Sequence, residues 1–188
     1  MRIIAGDHKG RKIFEPTDKE TRPLKDLTKE SIFNILEHSK NAKISIKKSN
    51  VLDIFAGTGS FGLECISRGA SKIYFIEQYK PSIKILNKNI EKLNCEKKIN
   101  LFSKNVFDLK KIKKIRENKF NIIFLDPPYK EKNIVLLLSE INKMNILSEK
   151  GIIVLHRHKK SNDNFDNKFK ILRTESYGIS KIIFGKFI

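Results

Sequence analysis

Asp126-Pro127-Pro128-Tyr129 closes a short apolar run, Ile122-Ile123-Phe124-Leu125. Proline has no N–H, so this stretch offers carbonyl acceptors and few donors. With the Asp126 carboxylate added, the local surface suits a group that only donates hydrogen bonds. An exocyclic amino group fits. Its nitrogen is conjugated with its ring and is a poor nucleophile. Holding one N–H on Asp126 and the other on the Pro127 carbonyl would turn its lone pair toward an electrophile. Pro128 stiffens the turn, and Tyr129 offers a face on which a base can stack. A plainer reading is a strand leaving through a turn, since Asp and Pro are common turn residues.

A second cluster supplies a candidate electrophile. Asp53-Ile54-Phe55-Ala56-Gly57-Thr58-Gly59-Ser60-Phe61-Gly62 carries three glycines in the G-x-G-x-x-G pattern, and Glu77 lies twenty residues beyond Gly57. By pattern alone this is a dinucleotide fingerprint. Asp53 argues otherwise. A pyrophosphate wants a helix N-terminus with no anion nearby. S-adenosylmethionine carries a sulfonium and an ammonium instead, and a carboxylate beside the loop favours it. The cofactor set is therefore Asp53, Phe55, Ala56, Gly57 and Gly59, with Glu77 on the ribose. Asn105 would pair with the adenine, and Val106 would pack on its ring. Asp53 could instead cap N–H groups of its own loop, and Asn105 could simply make a turn.

These residues need a scaffold that brings strand ends together. Apolar runs at 51–55, 72–77, 99–102, 121–125 and 151–156 read as strands. Helical spacing covers 61–68, 81–93 and 132–144. Segments 169–175 and 179–187 read as a closing hairpin. Strand–helix alternation predicts an α/β fold with a mostly parallel sheet of seven strands, the last antiparallel. Ligands bind beyond the carboxyl ends of such strands, and the 121–125 strand is expected beside the first. Residues 1–50 read as an extension rather than an independent domain: a hairpin of 2–6 with 10–14, a helix over 25–38 and a linker at 43–50. Residues 51–188 form the main domain.

The chain has 188 residues, 39% hydrophobic and 32% charged, which suits one globular domain. No apolar run approaches the roughly 18 residues of a membrane span. No leader peptide is evident, so the expected setting is the cytoplasm. Cys65 and Cys95 read as small core residues, and no metal-ligand spacing is present. The net charge of +18 points to a polyanionic partner, although only seven of the 39 basic residues are arginine and lysine enrichment alone could inflate the total. Arg2, Arg11 and Arg22 fall within the first 22 residues.

Together with RIIAGDHKGRK, TRP, KESIFNIL, LDIFAGTGSFGLECISRGA and the terminal YGISKIIFGKF, these motifs closely resemble the bacterial small-subunit (16S) ribosomal RNA guanine-N2 methyltransferase family (RsmD-like). The resemblance spans nearly the whole chain. It implies a Rossmann-like class I methyltransferase that uses S-adenosylmethionine to methylate the 2-amino group of one guanine. Its expected partner is ribosomal RNA or the small ribosomal subunit, approached as a monomer, without membrane or metal. It implies that Asp126, Pro127, Pro128 and Tyr129 hold the base, and that Arg2, Lys9, Arg11, Lys12 and Arg22 lie in the RNA-contacting segment. Leu24 and Leu27 depart from the family pattern. So does His156-Arg157-His158, where the family commonly has a glutamate; these three read as a solvated basic loop.

Three alternatives share parts of the pattern. A DNA adenine or cytosine amino-methyltransferase suits the same pocket, but the short chain leaves no room for a DNA-recognition domain. A nicotinamide-dependent oxidoreductase leaves Asp53 and the prolines unexplained. A non-catalytic RNA-binding protein explains only the charge.

Overall fold

The computed structural model describes residues 1–16, 18 and 24–188. Its strands are β1 (Asn50–Ile54), β2 (Lys72–Glu77), β3 (Ile99–Ser103), β4 (Phe120–Leu125), β5 (Leu147–His158), β6 (Phe169–Tyr177) and β7 (Ser180–Phe187). Its helices are α1 (Asp26–His38), α2 (Ser60–Ser67), α3 (Lys80–Leu93), the short α4 (Lys113–Arg116) and α5 (Ile134–Lys143). The sheet order is β3-β2-β1-β4-β5-β7-β6. β1 through β5 pair in parallel, and β7 runs antiparallel between β5 and β6. Among the described residues, no helix is long and apolar enough to cross a membrane.

The central strands are apolar almost throughout because both faces are covered. Alternate side chains separate into two cores. Val51, Phe75, Ile122 and Phe124 meet α1, α2 and α3 on one face. Leu52, Ile76, Ile123 and Leu125 meet α5 on the other. Cys65 and Cys95 are buried free thiols, as expected. The 43–50 segment is not a loose linker, because Ile46 is buried in the first core.

The expected N-terminal hairpin forms around an antiparallel bridge of Arg2 with Lys12, with Ile3 N–H donated to the Arg11 carbonyl at 2.9 Å, Gly10 N–H to the Ile3 carbonyl at 2.9 Å and Ile13 N–H to the Met1 carbonyl at 3.1 Å. Other backbone groups of the segment reach the main domain. The N–H groups of Ile4 and Ala5 donate to Glu64 at 2.8 and 3.0 Å, His8 N–H donates to Ser67 Oγ at 2.9 Å, and Phe14 N–H donates to Asn89 Oδ1 at 2.7 Å. Side chains of α2 and α3 thus fasten the hairpin to the main domain. Gly6 makes the closest approach. It has φ +81°, and a Cβ there would lie 1.8 Å from the Ser67 carbonyl oxygen.

Glu64 is the hub of this contact. It is fully buried and also accepts Arg68 Nε–H at 2.9 Å. Lys29, fully buried on α1, lies 3.9 Å from Glu64 and donates to the Arg2 carbonyl at 2.8 Å and to Ser60 Oγ at 3.2 Å. Burial pushes the Lys29 ammonium down from its ordinary pKa, and the Glu64 and Asp26 charges pull it back. Removing one member of such a group leaves the others buried and uncompensated. Glu64→Ala is therefore expected to cost about 3–5 kcal/mol in urea denaturation. Glu37→Ala, which loses only a half-exposed ion pair to Arg68, should cost about 1 kcal/mol or less. Equal costs would contradict this assignment.

Candidate active site

β1 and α2 are joined by a turn that a side-chain-bearing chain enters with difficulty. Phe55 has φ 62° and Gly59 has φ 84°. A bulky residue at positive φ is held there only by surrounding contacts. Phe55 packs against the second core, and two carboxylates brace the turn around it. Asp53 Oδ2 accepts the Gly62 N–H at 3.0 Å. Glu77 Oε2 accepts the Gly57 N–H at 2.7 Å, and its Oε1 accepts Gln78 and Tyr79 N–H groups, each at 2.8 Å. The capping role open to Asp53 in the sequence is thus present, and Asp53 also faces the cleft.

That cleft has a volume of about 770 Å³, within the roughly 300–1,000 Å³ of small-molecule sites. It gathers Asp53, Phe55, Ala56 and Gly57 from the first turn, Glu77 from the end of β2, and Asn105 and Val106 from beyond β3. Asp126, Pro127, Pro128 and Tyr129, from beyond β4, line the same space. Gly59 shapes the turn without lining the cleft: a Cβ there would stand 2.3 Å from Leu86. Asn105 makes the turn that competed with its adenine role, its Oδ1 accepting the Phe107 N–H at 2.9 Å. Arg2, Lys9, Arg11 and Lys12 are exposed on the extension and do not line the cleft. Arg22 lies outside the described residues.

Sequence reasoning missed several lining residues. Leu24 is buried at the cleft wall, whereas Leu27, the other departure from the family pattern, is 80% exposed. Tyr79 and Phe107 also line the cleft. Each follows a strand end by a few residues, and that position was the available signal.

The basic-loop reading of His156-Arg157-His158 is overturned. His156 is 3% exposed and Arg157 4%. β5 does not stop at His156, because Arg157 and His158 go on pairing with Lys181 and Ser180 of β7. The β4–β5 register pairs Leu125 with Leu155, which sets Asp126 beside His156. His156 Nδ1 lies 2.8 Å from Asp126 Oδ1, and its Nε2 lies 2.8 Å from Ser180 Oγ. Arg157, on the opposite side of the strand, holds Asp163 through two contacts of 2.9 Å and donates to the Glu131 carbonyl at 2.9 Å.

Residues 1–186 match the protein-family model described as conserved hypothetical protein 95. The chain belongs to this family. It is 32% identical to YlbH of Bacillus subtilis, a protein provisionally named an rRNA methyltransferase, over 99% of this chain and 98% of the relative. It is 31% identical to ribosomal RNA small subunit methyltransferase D of Haemophilus influenzae, over 95% of this chain and 90% of that protein. Among solved structures, yhhF of Escherichia coli superposes with a TM-score of 0.81 at 23% identity, covering 100% of this chain and 97% of its own. That likeness shows the shared fold.

The cleft's electrostatics suit this family's methyl donor. Burial pushes the Asp53 carboxyl well above its ordinary pKa of 3.8, and the Asp126 and Glu77 charges add to it, against the Gly62 N–H. Asp53 and Glu77 beside the turn disfavour a pyrophosphate and suit a sulfonium and an ammonium, and a bound cation would draw Asp53 toward its ionised form. The residues present therefore fit S-adenosylmethionine.

Asp53 binds its proton more tightly folded than unfolded. Its contribution favours the fold most below about pH 4, its ordinary range, and is lost as pH rises through the folded value. Asp53→Asn keeps an acceptor for Gly62 and removes the charge. At pH 7 the variant should melt a few degrees higher. It should bind S-adenosylmethionine about tenfold more weakly. Calorimetric titration and thermal melts check both, and unchanged affinity would contradict the cleft's cationic preference.

Proposed function

We propose that this chain transfers a methyl group from S-adenosylmethionine to the 2-amino group of a guanine in small-subunit ribosomal RNA. The observation that carries the reading is the shared cleft, in which the braced glycine turn and the Asp126–Tyr129 corner face one space. When bound, S-adenosylmethionine supplies an electrophilic methyl on a sulfonium. Asp53, Gly57 and Glu77 are the residues that would hold it, with Phe55, Ala56, Asn105 and Val106 around it.

Asp126 and the Pro127 carbonyl accept the two N–H bonds of the base. This holds the amino nitrogen with its lone pair toward the donor, and most of the acceleration comes from that orientation and from fixed dipoles. As the nitrogen gains carbon it sheds one proton, for which the Asp126 carboxylate is the nearest named acceptor. Pro127 and Pro128 add no competing N–H donors. Tyr129 packs edge-on against His158, ring centroids 4.9 Å apart, which fixes the plane on which the base stacks.

Ribosomal RNA as substrate is supported by the names of the relatives and by the net charge of +18. Exposed Arg2, Lys9, Arg11 and Lys12, with Arg22 in the same segment, would grip phosphates in a salt-dependent way. A single-stranded guanine splays from its stack into the cleft. The chain acts as a monomer in the cytoplasm, where ribosomal subunits assemble.

Asp126→Ala should lower methyl transfer to purified small subunits or their RNA by at least about a thousandfold, as expected for losing a positioned acceptor. Its affinity for S-adenosylmethionine should stay within about threefold of the parent, since the cofactor contacts lie on other strands. Nucleoside mass mapping of the product identifies the modified base. Full activity in this variant, or a product other than N2-methylguanosine, would overturn the reading.

A further inference from the structure

We propose that His156 is a positioning residue for Asp126, acting through the hydrogen bond between its Nδ1 and Asp126 Oδ1. The proposal deepens the reading above and rests on the acceptor role given there to Asp126.

Asp126 sits at the mouth of the cleft, one residue beyond the end of β4 and directly before two prolines. Its own backbone holds it through an N–H donated to the Ile54 carbonyl at 3.3 Å, a long contact. A carboxylate on such a hinge can rotate about its side-chain bonds, and each rotation moves its acceptor oxygens relative to an incoming amino group. His156 is a buried restraint on that rotation. Its ring is buried on β5, a strand paired on both sides, and its Nδ1 reaches Asp126 Oδ1 at 2.8 Å.

The contact also sets the ring's tautomer. A carboxylate accepts and does not donate, so Nδ1 carries the proton. In the neutral ring, Nε2 then accepts the Ser180 hydroxyl, 2.8 Å away. Ser180 opens β7, so the imidazole is held between two strands of the sheet and the carboxylate inherits that rigidity.

The next two residues grip the same loop. Arg157 donates to the carbonyl of Glu131, and His158 meets the Tyr129 ring edge-on. Alternation along the strand puts the histidines on one side and the arginine on the other. Three consecutive residues of β5 thus fix the substrate corner at Asp126, Tyr129 and Glu131. A mispositioned reacting group can cost about a hundredfold in rate with little change in binding, so the effect belongs in kcat.

The test compares purified His156→Ala, His156→Asn and Ser180→Ala on small subunits or their RNA. Asparagine can place a side-chain N–H near the position of Nδ1. His156→Ala should lose about 30- to 100-fold in kcat, with KM for RNA and Kd for S-adenosylmethionine within about threefold. His156→Asn should recover kcat to within about fivefold of the parent, and Ser180→Ala should lose about three- to tenfold. If His156→Ala fails to fold, as judged by loss of a cooperative thermal transition, the asparagine and Ser180 variants still read the contact. Parent-like kcat in both His156→Ala and Ser180→Ala overturns the proposal. So does a loss that asparagine does not restore, or one confined to KM or cofactor binding. An active Asp126→Ala enzyme would instead strike the role of Asp126 itself, which separates the two failures.

Discussion

Carboxylates at the ends of neighbouring parallel strands are the constraint on which this structure turns. Asp53 ends in a buried site on β1, Glu77 closes β2 and Asp126 follows β4, and all three face one cleft. Placing them together is unfavourable: burial raises the Asp53 carboxyl, and the Asp126 and Glu77 charges add to it. Part of that cost is offset by backbone N–H groups that Asp53 and Glu77 accept from the glycine turn and from the start of α3. The same bonds brace the turn in which Phe55 takes a left-handed conformation. Local strain, turn geometry and the cleft's appetite for a cation therefore have one source.

The extension is fastened to this site through α2. Glu64 and Ser67 catch the backbone near residues 4–8, and Lys29 ties the Arg2 carbonyl to Ser60, the first residue of α2 and part of the cleft wall. A basic segment is thus bonded to the helix that begins at the glycine turn. The contact is polar and buried, so its geometry is more specific than apolar packing alone would give.

Much of this was legible in the sequence, for identifiable reasons. Asp53, Gly57, Glu77 and Asp126 could be read because strand ends of a parallel sheet meet at one edge, and because β2 and β4 announce themselves as continuous apolar runs. Position along the chain was enough. The hairpin of the extension was legible, but its attachment was not, because the N–H groups of Ile4, His8 and Phe14 pair with Glu64, Ser67 and Asn89, which lie far away in sequence. His156-Arg157-His158 misled for a related reason. Three polar basic residues read as solvent-facing, yet His156 meets Asp126 and Ser180, which only the sheet register brings close, and Arg157 meets Asp163 as the chain folds back after β5. Leu24 lines the cleft through a similar long-range approach that no local pattern encodes.

The central claim is that a methyl-bearing sulfur and an acceptor-lined corner share one space. A crystal structure of the protein with S-adenosylhomocysteine tests it most directly. The account predicts the thioether sulfur facing the Asp126–Tyr129 corner, with room for one planar base between them. A sulfur turned away from that corner, or a gap filled by the protein's own side chains, would contradict it.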